Sequence, residues 1–140
     1  MSKLILALDQ GTTSSRAILF SPSGETVASA SCEFEQIFPH DGWVEHNPGE
    51  IFGSVLRAAR NAMDKVGASA DDIATVGITN QRETVVVWEK DTGNPVCNAI
   101  VWQCRRTAAF CDELKRNGLS DFIRDQTGLL IDSYFSASKL

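Results

Sequence analysis

The chain has 140 residues, which is a common length for one domain and enough to bury a core. Hydrophobic residues make up 43% of it and charged residues 22%, values that are ordinary for a folded globular protein and do not indicate disorder. The net charge of −5, without a large cluster of Lys or Arg, argues against a nucleic-acid partner, and no apolar run is long enough to span a membrane.

The first elements predicted along the chain form a β-meander. Residues 3–8 and 16–20 are apolar runs on either side of a polar turn at 11–15, so they predict an antiparallel hairpin. The first run meets Asp9 at once and lacks the long apolar region of a signal peptide. After a Ser-Pro-Ser-Gly turn, the loose alternation of residues 25–35 predicts a third strand.

A helix is predicted to begin at the Asn-Pro-Gly-Glu segment 47–50. Asn can cap a helix, Pro suits its first position, and Glu stands three residues after the cap. Gly67 is placed to end the helix. The apolar residues in between fall on one face at helical spacing, namely Ile51, Phe52, Val55, Leu56, Ala59, Met63 and Val66.

The rest of the chain adds three strands and two helices to the prediction. The strands are expected at 73–79, 84–88 and 96–102, with a turn at 91–95, and the helices at 105–117 and 119–126, while 36–46 is irregular. The sequence therefore predicts an α/β protein whose mixed sheet opens with an antiparallel three-strand meander and is flanked by helices. This opening is typical of a ribonuclease-H-like lobe, as in actin-like ATPases, although other α/β folds also begin with a meander. No repeat or linker indicates a domain boundary within the chain.

The four cysteines predict free thiols rather than a metal site. Cys32, Cys97, Cys104 and Cys111 form no CxxC pair, and the chain has only two histidines. We therefore expect buried free thiols in a reducing compartment and a cytoplasmic location.

The segment 9–16 has the chemistry of a phosphate-binding turn. A glycine at position 11 permits a tight turn, whose successive N–H groups can bind an anion. Asp9, at the strand end, can hold Mg²⁺ through water molecules. Further donors to phosphate oxygens are the hydroxyls of Thr12, Thr13 and Ser14 and the guanidinium of Arg16. An ordinary hairpin turn has a similar composition, and the segment is not a P-loop, because no Gly-Lys-Ser/Thr follows it.

The whole string Asp-Gln-Gly-Thr-Thr-Ser-Ser-Arg at 9–16 resembles the first phosphate motif of the sugar-kinase family that includes glycerol, xylulose and gluconate kinases. In that family the hairpin contacts the β- and γ-phosphates of ATP. The resemblance therefore implies that Thr12, Thr13, Ser14 and Arg16 bind ATP.

A second polar segment, Asn-Gln-Arg-Glu at 80–83, lies between two predicted strands. It is either a solvated turn or a polyol clamp in which Arg82 donates to substrate hydroxyls and Glu83 accepts from them. Trp102 is either a core aromatic or an apolar wall for a carbon skeleton. Tyr134 is either a surface residue or the group that closes such a site.

Several segments resemble the glycerol kinases within this family rather than the xylulose-type kinases, which usually have a Gly-Gln-Met-His-type segment at the position of 80–83. These segments are Gly-Trp-Val-Glu-His-Asn-Pro (42–48), Gly-Ile-Thr-Asn-Gln-Arg-Glu-Thr (77–84), Ala-Ile-Val-Trp-Gln-Cys-Arg-Arg-Thr (99–107), Thr-Gly-Leu (127–129) and Tyr-Phe-Ser (134–136). The resemblance covers the whole chain and implies that Arg82, Glu83, Trp102 and Tyr134 contact glycerol.

Arg105 and Arg106 stand at the start of a predicted helix, where the helix dipole disfavours positive charge. They either pair with nearby acids or face an anion, and we favour ion pairs.

Glycerol kinases are much longer than this chain. The resemblance implies that residues 1–140 are the N-terminal part of the first lobe of a two-lobed kinase, with the second lobe absent. The general base is then an aspartate downstream of Leu140, so no catalytic residue is expected within the chain. The implied reaction is the phosphorylation of glycerol by ATP, with Mg²⁺, to sn-glycerol 3-phosphate. The alternatives are a kinase of the same family for another small polyol or sugar, and a truncated binding or assembly module without catalysis. We expect the full-length enzyme to be a homo-oligomer.

Overall fold

The structure, a computed structural model, describes residues 3–140. Met1 and Ser2, the start of the segment predicted not to be a signal peptide, lie outside the described residues. The strands are β1 (Leu4–Gln10), β2 (Ser14–Phe20), β3 (Thr26–Glu33), β4 (Glu45–His46), β5 (Ile73–Thr79) and β6 (Ala99–Ile100). The α-helices are α1 (Pro48–Asp64), α2 (Ala108–Arg116) and α3 (Ser120–Thr127), with short 3₁₀ helices at Ala70–Asp72 and Ser136–Lys139. None of these helices is long and apolar enough to cross a membrane.

The described residues form two compact units that share the chain in alternating segments. The first contains the described residues up to Glu35 together with Asn47–Gln81, and the second contains Gln36–His46 together with Arg82–Leu140. Because the chain passes between the units three times, neither unit is a continuous stretch of sequence. This interleaving explains why no linker was visible in the sequence. The assignment of the chain to one lobe stays a prediction.

The first unit is built on a mixed sheet with the strand order β3-β2-β1-β5. β1 pairs with β2, and β2 with β3, in antiparallel register, whereas β1 and β5 are parallel. A parallel pair requires a crossover connection, which here contains α1. The predicted α/β class, the opening meander and the mixed sheet are confirmed.

One face of this sheet packs on α1, and the alternation along β2 shows which face. Ser15, Ala17 and Leu19 are fully buried, whereas Arg16 between them is exposed. Successive strand residues point to opposite faces, so Arg16 lies on the face away from the core. The core cluster also includes Ala58 of α1.

The ends of α1 agree with the prediction. The side chain of Asn47 caps the helix by accepting from the backbone N–H groups of Gly49, at 2.8 Å, and Glu50, at 3.3 Å. After the helix, Gly67 has a positive φ of 64°. The carboxylate of Glu50 accepts from the backbone N–H of Glu35 at 3.2 Å, an interaction that sequence reasoning did not find.

The predicted buried face of α1 is wrong in detail. The buried residues of the helix are Ser54, Ala58 and Ala62, spaced by four, whereas Phe52 is 66% and Leu56 40% exposed. Small side chains at the line of contact let a helix approach a sheet closely, so the larger apolar residues flank that line. The hydrophobic pattern predicted the helix correctly but placed the centre of the buried face on the wrong residues.

The second unit contains less regular structure than predicted. The short strands β4 and β6 are antiparallel, and the expected strand 84–88 contributes only isolated bridges, from Val85 to Ile100 and from Trp88 to Pro95. Pro95 has no N–H to donate. In addition, the segment from Pro95 to Ile100 is longer than the segment from Val85 to Trp88 that it would have to pair with. A continuous ladder between 84–88 and 96–102 therefore cannot form, and β6 covers only Ala99–Ile100.

The helices of the second unit are close to their predicted places. α3 agrees with the prediction within one residue and is followed by Gly128 with a positive φ of 73°. α2 begins at Ala108 rather than at residue 105, because Arg105 donates its backbone N–H to the carbonyl of Gly42 at 2.7 Å instead of starting the helix.

The four cysteines are free. Cys104 and Cys111 are buried as expected, but Cys97 is exposed.

Candidate functional site

The first candidate group is the turn between β1 and β2. The backbone N–H of Gly11 donates to the carbonyl of Ser14 at 3.0 Å and closes the turn. A Cβ at position 11 would lie 2.8 Å from that carbonyl oxygen, so a larger residue does not fit without a shift of the backbone. The turn is shorter than predicted, since Ser14 and Ser15 already belong to β2.

Ser15 holds this turn against the helix. Its hydroxyl donates to the side-chain oxygen of Gln10 at 2.7 Å and lies 2.6 Å from the hydroxyl of Ser54 in α1. Both serines are fully buried. The hydrogen bonds of Ser15 therefore hold the turn in place against α1, and sequence reasoning did not find them.

The charged residues of the turn lie on the open face of the sheet. Asp9 of β1 is directly opposite Arg16 of β2, and the Nε of Arg16 donates to the hydroxyl of Ser31 in β3 at 3.3 Å. Asp9 and Arg16 are both exposed, as is Thr13, and Thr12 and Ser14 are partly exposed. The predicted phosphate ligands are thus gathered at one end of the hairpin.

The described residues could hold a magnesium ion through a single carboxylate but not through a cluster of protein ligands. Among residues 3–140, no group of three or more His, Cys, Asp or Glu residues could hold a metal ion. Mg²⁺ is commonly held through one carboxylate, water and substrate phosphates. The exposed carboxylate of Asp9 suits such a site, in which water and substrate phosphates complete the coordination of the ion.

The second candidate group lies in the other unit and is centred on Glu83. Its φ of 59° is positive, which is the case for no other non-glycine residue in the described part of the chain. Its Oε2 atom accepts from the backbone N–H and from the hydroxyl of Ser136, each at 2.9 Å. Two donors on one oxygen fix the orientation of the carboxylate.

Trp102 and Tyr134 are in contact, with ring centroids 5.6 Å apart and an angle of 59° between their planes. The backbone N–H of Tyr134 donates to Asp132 at 2.8 Å, and Asp132 also pairs with Arg105 at 3.2 Å. Arg82, next to Glu83 in the chain, is exposed and forms no ion pair with any residue of 3–140. Its guanidinium is therefore available to a ligand.

The ion-pair hypothesis for the two consecutive arginines is confirmed. Arg105 pairs with Asp132, and Arg106 pairs with Glu45 at 2.6 Å while its guanidinium lies 3.9 Å from the ring centroid of Trp43. Burial by itself would raise the pKa of Glu45, but hydrogen bonds from Arg106 and Asn98 outweigh it and lower that pKa.

Sequence reasoning missed three residues that support the candidate groups: Glu45, Asp132 and Ser136. A signal existed for two of them, because Glu45 and Ser136 lie within the segments 42–48 and 134–136 that carry the resemblance. Their roles depend on contacts between distant parts of the chain, which no local pattern indicates.

These elements define the class of protein. The model of the N-terminal domain of the FGGY family of carbohydrate kinases matches residues 4–140, and the chain belongs to that family. Within the family, it is similar to proteins named glycerol kinase. It is 59% identical, over all 140 residues, to the glycerol kinase of Alkaliphilus oremlandii and spans 28% of that protein's length. The expected resemblance is confirmed.

Solved structures agree with this placement. The fold is similar to that of the Plasmodium falciparum glycerol kinase solved with ADP, with a TM-score of 0.88, 33% identity, and coverage of 99% of this chain and 28% of that one. The gluconate kinase of Lactobacillus acidophilus gives a TM-score of 0.89 at 24% identity, over 98% of this chain and 27% of that one, which is a likeness of fold alone. The expected sugar-kinase, actin-like ATPase fold is confirmed.

Proposed function

We propose that the protein containing this chain is a kinase that transfers the γ-phosphoryl group of ATP to glycerol and forms sn-glycerol 3-phosphate. The observation that carries the proposal is the 59% identity to a glycerol kinase over all 140 residues. The likeness to a glycerol kinase solved with ADP supports the nucleotide part.

The residues around Glu83 suit a small polyol. A carboxylate fixed through one oxygen can accept hydrogen bonds from substrate hydroxyls on its other oxygen. The exposed guanidinium of Arg82 can donate hydrogen bonds to hydroxyl oxygens. The tilted, contacting rings of Trp102 and Tyr134 supply an apolar surface for the carbon skeleton. A site of this kind rejects analogues that lack a hydroxyl, because its polar groups would then be unpaired.

The turn between β1 and β2 suits the phosphates. Thr12, Thr13 and Ser14 offer hydroxyl donors at the turn of the hairpin, and Arg16 adds a positive charge. Mg²⁺ bound with the nucleotide would offset phosphate charge, and Asp9 is the residue that would hold it. The terminal hydroxyl of glycerol attacks the γ-phosphorus, and its proton passes to an aspartate that the resemblance implies beyond Leu140. We further propose that the enzyme is cytoplasmic and homo-oligomeric.

The test is a steady-state assay of ADP release by the full-length protein with glycerol and with other small polyols and sugars. Arg82→Ala and Glu83→Ala should each raise the KM for glycerol by about tenfold or more while the KM for ATP stays the same, since each removes a hydrogen bond to a small ligand. Arg116→Ala and Glu113→Ala, at exposed positions of α2, are the matched controls. A wild type that prefers another polyol would favour a different kinase of the family.

A further inference from the structure

Glu83 has a backbone conformation that side chains rarely adopt. A non-glycine residue at a φ of 59° costs free energy and persists only where its surroundings hold it in place. Such strain points to a side chain that must be aimed in a particular direction.

The contacts that hold Glu83 come from one short segment, the 3₁₀ helix Ser136–Lys139. Ser136 places two donors on the Oε2 atom of Glu83, each at 2.9 Å. Lys139, at the other end of the segment, donates to the carbonyl of Tyr134 at 3.1 Å and to that of Glu83 at 3.5 Å. The segment therefore forms hydrogen bonds with both the side chain and the backbone of Glu83.

The arrangement leaves the second carboxylate oxygen for a ligand. Within residues 3–140 no donor contacts the Oε1 atom of Glu83, whereas Oε2 has two. Because the carboxylate is held in place, the lone pairs of Oε1 have a fixed orientation. A ligand hydroxyl can then donate to Oε1 at a smaller cost in conformational entropy. Without these two donors the carboxylate would be free to rotate about its terminal bond, and loss of the hydroxyl alone leaves it held only by the backbone N–H.

We propose that Ser136 is a positioning residue that holds the carboxylate of Glu83 in the orientation that accepts a polyol hydroxyl, with Lys139 bracing the backbone beneath it. This inference rests on the proposed function. Neither residue was assigned a role from the sequence, although Ser136 is part of the Tyr-Phe-Ser segment that resembles glycerol kinases.

The experiment measures glycerol and ATP kinetics of Ser136→Ala in the full-length protein. The KM for glycerol should rise about tenfold, as expected for one hydrogen bond to a charged group, with the KM for ATP unchanged. Ser136→Thr retains the hydroxyl and should restore a KM close to that of the wild type.

The control is Ser138→Ala. Ser138 belongs to the same 3₁₀ helix, but its hydroxyl bonds to that of Thr107 at 2.9 Å and does not contact Glu83. If the helix matters only for folding, Ser138→Ala and Ser136→Ala should have the same effect on glycerol kinetics. If Ser136→Ala does not fold, Lys139→Met, which cannot donate to either carbonyl, should give the same selective rise in the KM for glycerol.

The outcomes separate the two proposals. An active wild type with an unchanged KM for glycerol in Ser136→Ala, or a KM that Ser136→Thr does not restore, overturns the positioning role and leaves the proposed function standing. A wild type that does not phosphorylate glycerol overturns both.

Discussion

At the turn between β1 and β2, neighbouring serines have different environments. The hydroxyl of Ser15 is fully buried and bonded to Gln10 and Ser54, so it supports the hairpin. Ser14 is partly exposed and can reach a ligand. The exposed carboxylate of Asp9 belongs with the accessible groups, and its charge is the property that a magnesium ion requires.

The charge of Asp9 gives the first prediction. In the full-length protein, Asp9→Asn should lower kcat by about tenfold to a hundredfold, because it removes negative charge where the metal must be held in the transition state. The KM for glycerol should stay close to that of the wild type. Asp64→Asn, at the exposed end of α1, is the control. A kcat near that of the wild type would remove Asp9 from the metal site without affecting the hairpin.

The ion pair between Glu45 and Arg106 gives a prediction about pH. The folded protein lowers the pKa of Glu45 below the value expected in the unfolded chain. The stabilisation is therefore present above the unfolded pKa and is lost as the pH falls through the folded pKa.

We expect Glu45→Gln to lower the thermal midpoint of the full-length protein at pH 7, because it leaves the mostly buried Arg106 without its counter-charge. The difference from the wild type should shrink as the pH falls below the unfolded pKa and then through the lowered pKa of folded Glu45, where the carboxylate becomes neutral. Glu113→Gln, on the surface of α2, should show no such trend. A difference that is equally large at acid and neutral pH would contradict the linkage.

At the scale of elements, the local patterns were sufficient where an element forms by itself. The β1–β2 hairpin and the capped helix α1 were predicted because turn residues and apolar periodicity encode them. The strands predicted at 84–88 and 96–102 are longer than those that form. Strand propensity is a local property and does not show whether two segments can pair over their whole length. The buried face of α1 was misplaced for a related reason, because the closeness of helix and sheet depends on Ala58 and its small neighbours.

The same applies to the candidate site. Asp9, Arg16 and the polar pair Arg82-Glu83 were recognisable in the sequence as chemistry at the ends of predicted strands. The strain at Glu83 and its contacts with Ser136 were not, because they join residues 53 positions apart in the chain.

The packing of α1 gives a prediction at this scale. Ala58 is fully buried between the helix and the sheet, so Ala58→Leu should destabilise the full-length protein by about 1–3 kcal/mol through overpacking. Leu56→Ala, two residues away and 40% exposed in the wild type, should cost much less. Urea unfolding followed by circular dichroism measures both variants. A larger loss in Leu56→Ala would mean that the helix packs through its large apolar residues, as the sequence pattern alone predicts.

At the scale of the whole molecule, the two candidate groups lie in different units of the chain. The turn between β1 and β2, proposed to bind phosphate, belongs to the first unit, and the residues around Glu83 belong to the second. The chain spans 28% of the length of the glycerol kinase it matches in Alkaliphilus oremlandii. Binding groups for both substrates are thus proposed within these 140 residues, whereas the general base implied by the resemblance is not among them.

The 140-residue chain by itself should therefore show no glycerol-dependent release of ADP. Phosphoryl transfer depends on holding both substrates in line, on a base that accepts the hydroxyl proton, and on groups that stabilise charge around the γ-phosphate. A coupled assay on the chain, purified from a host without glycerol kinase, should match the blank, while the full-length protein under the same conditions turns over. Turnover by the short chain clearly above the blank would mean that its own residues supply the base, and the role given to an aspartate beyond Leu140 would be wrong.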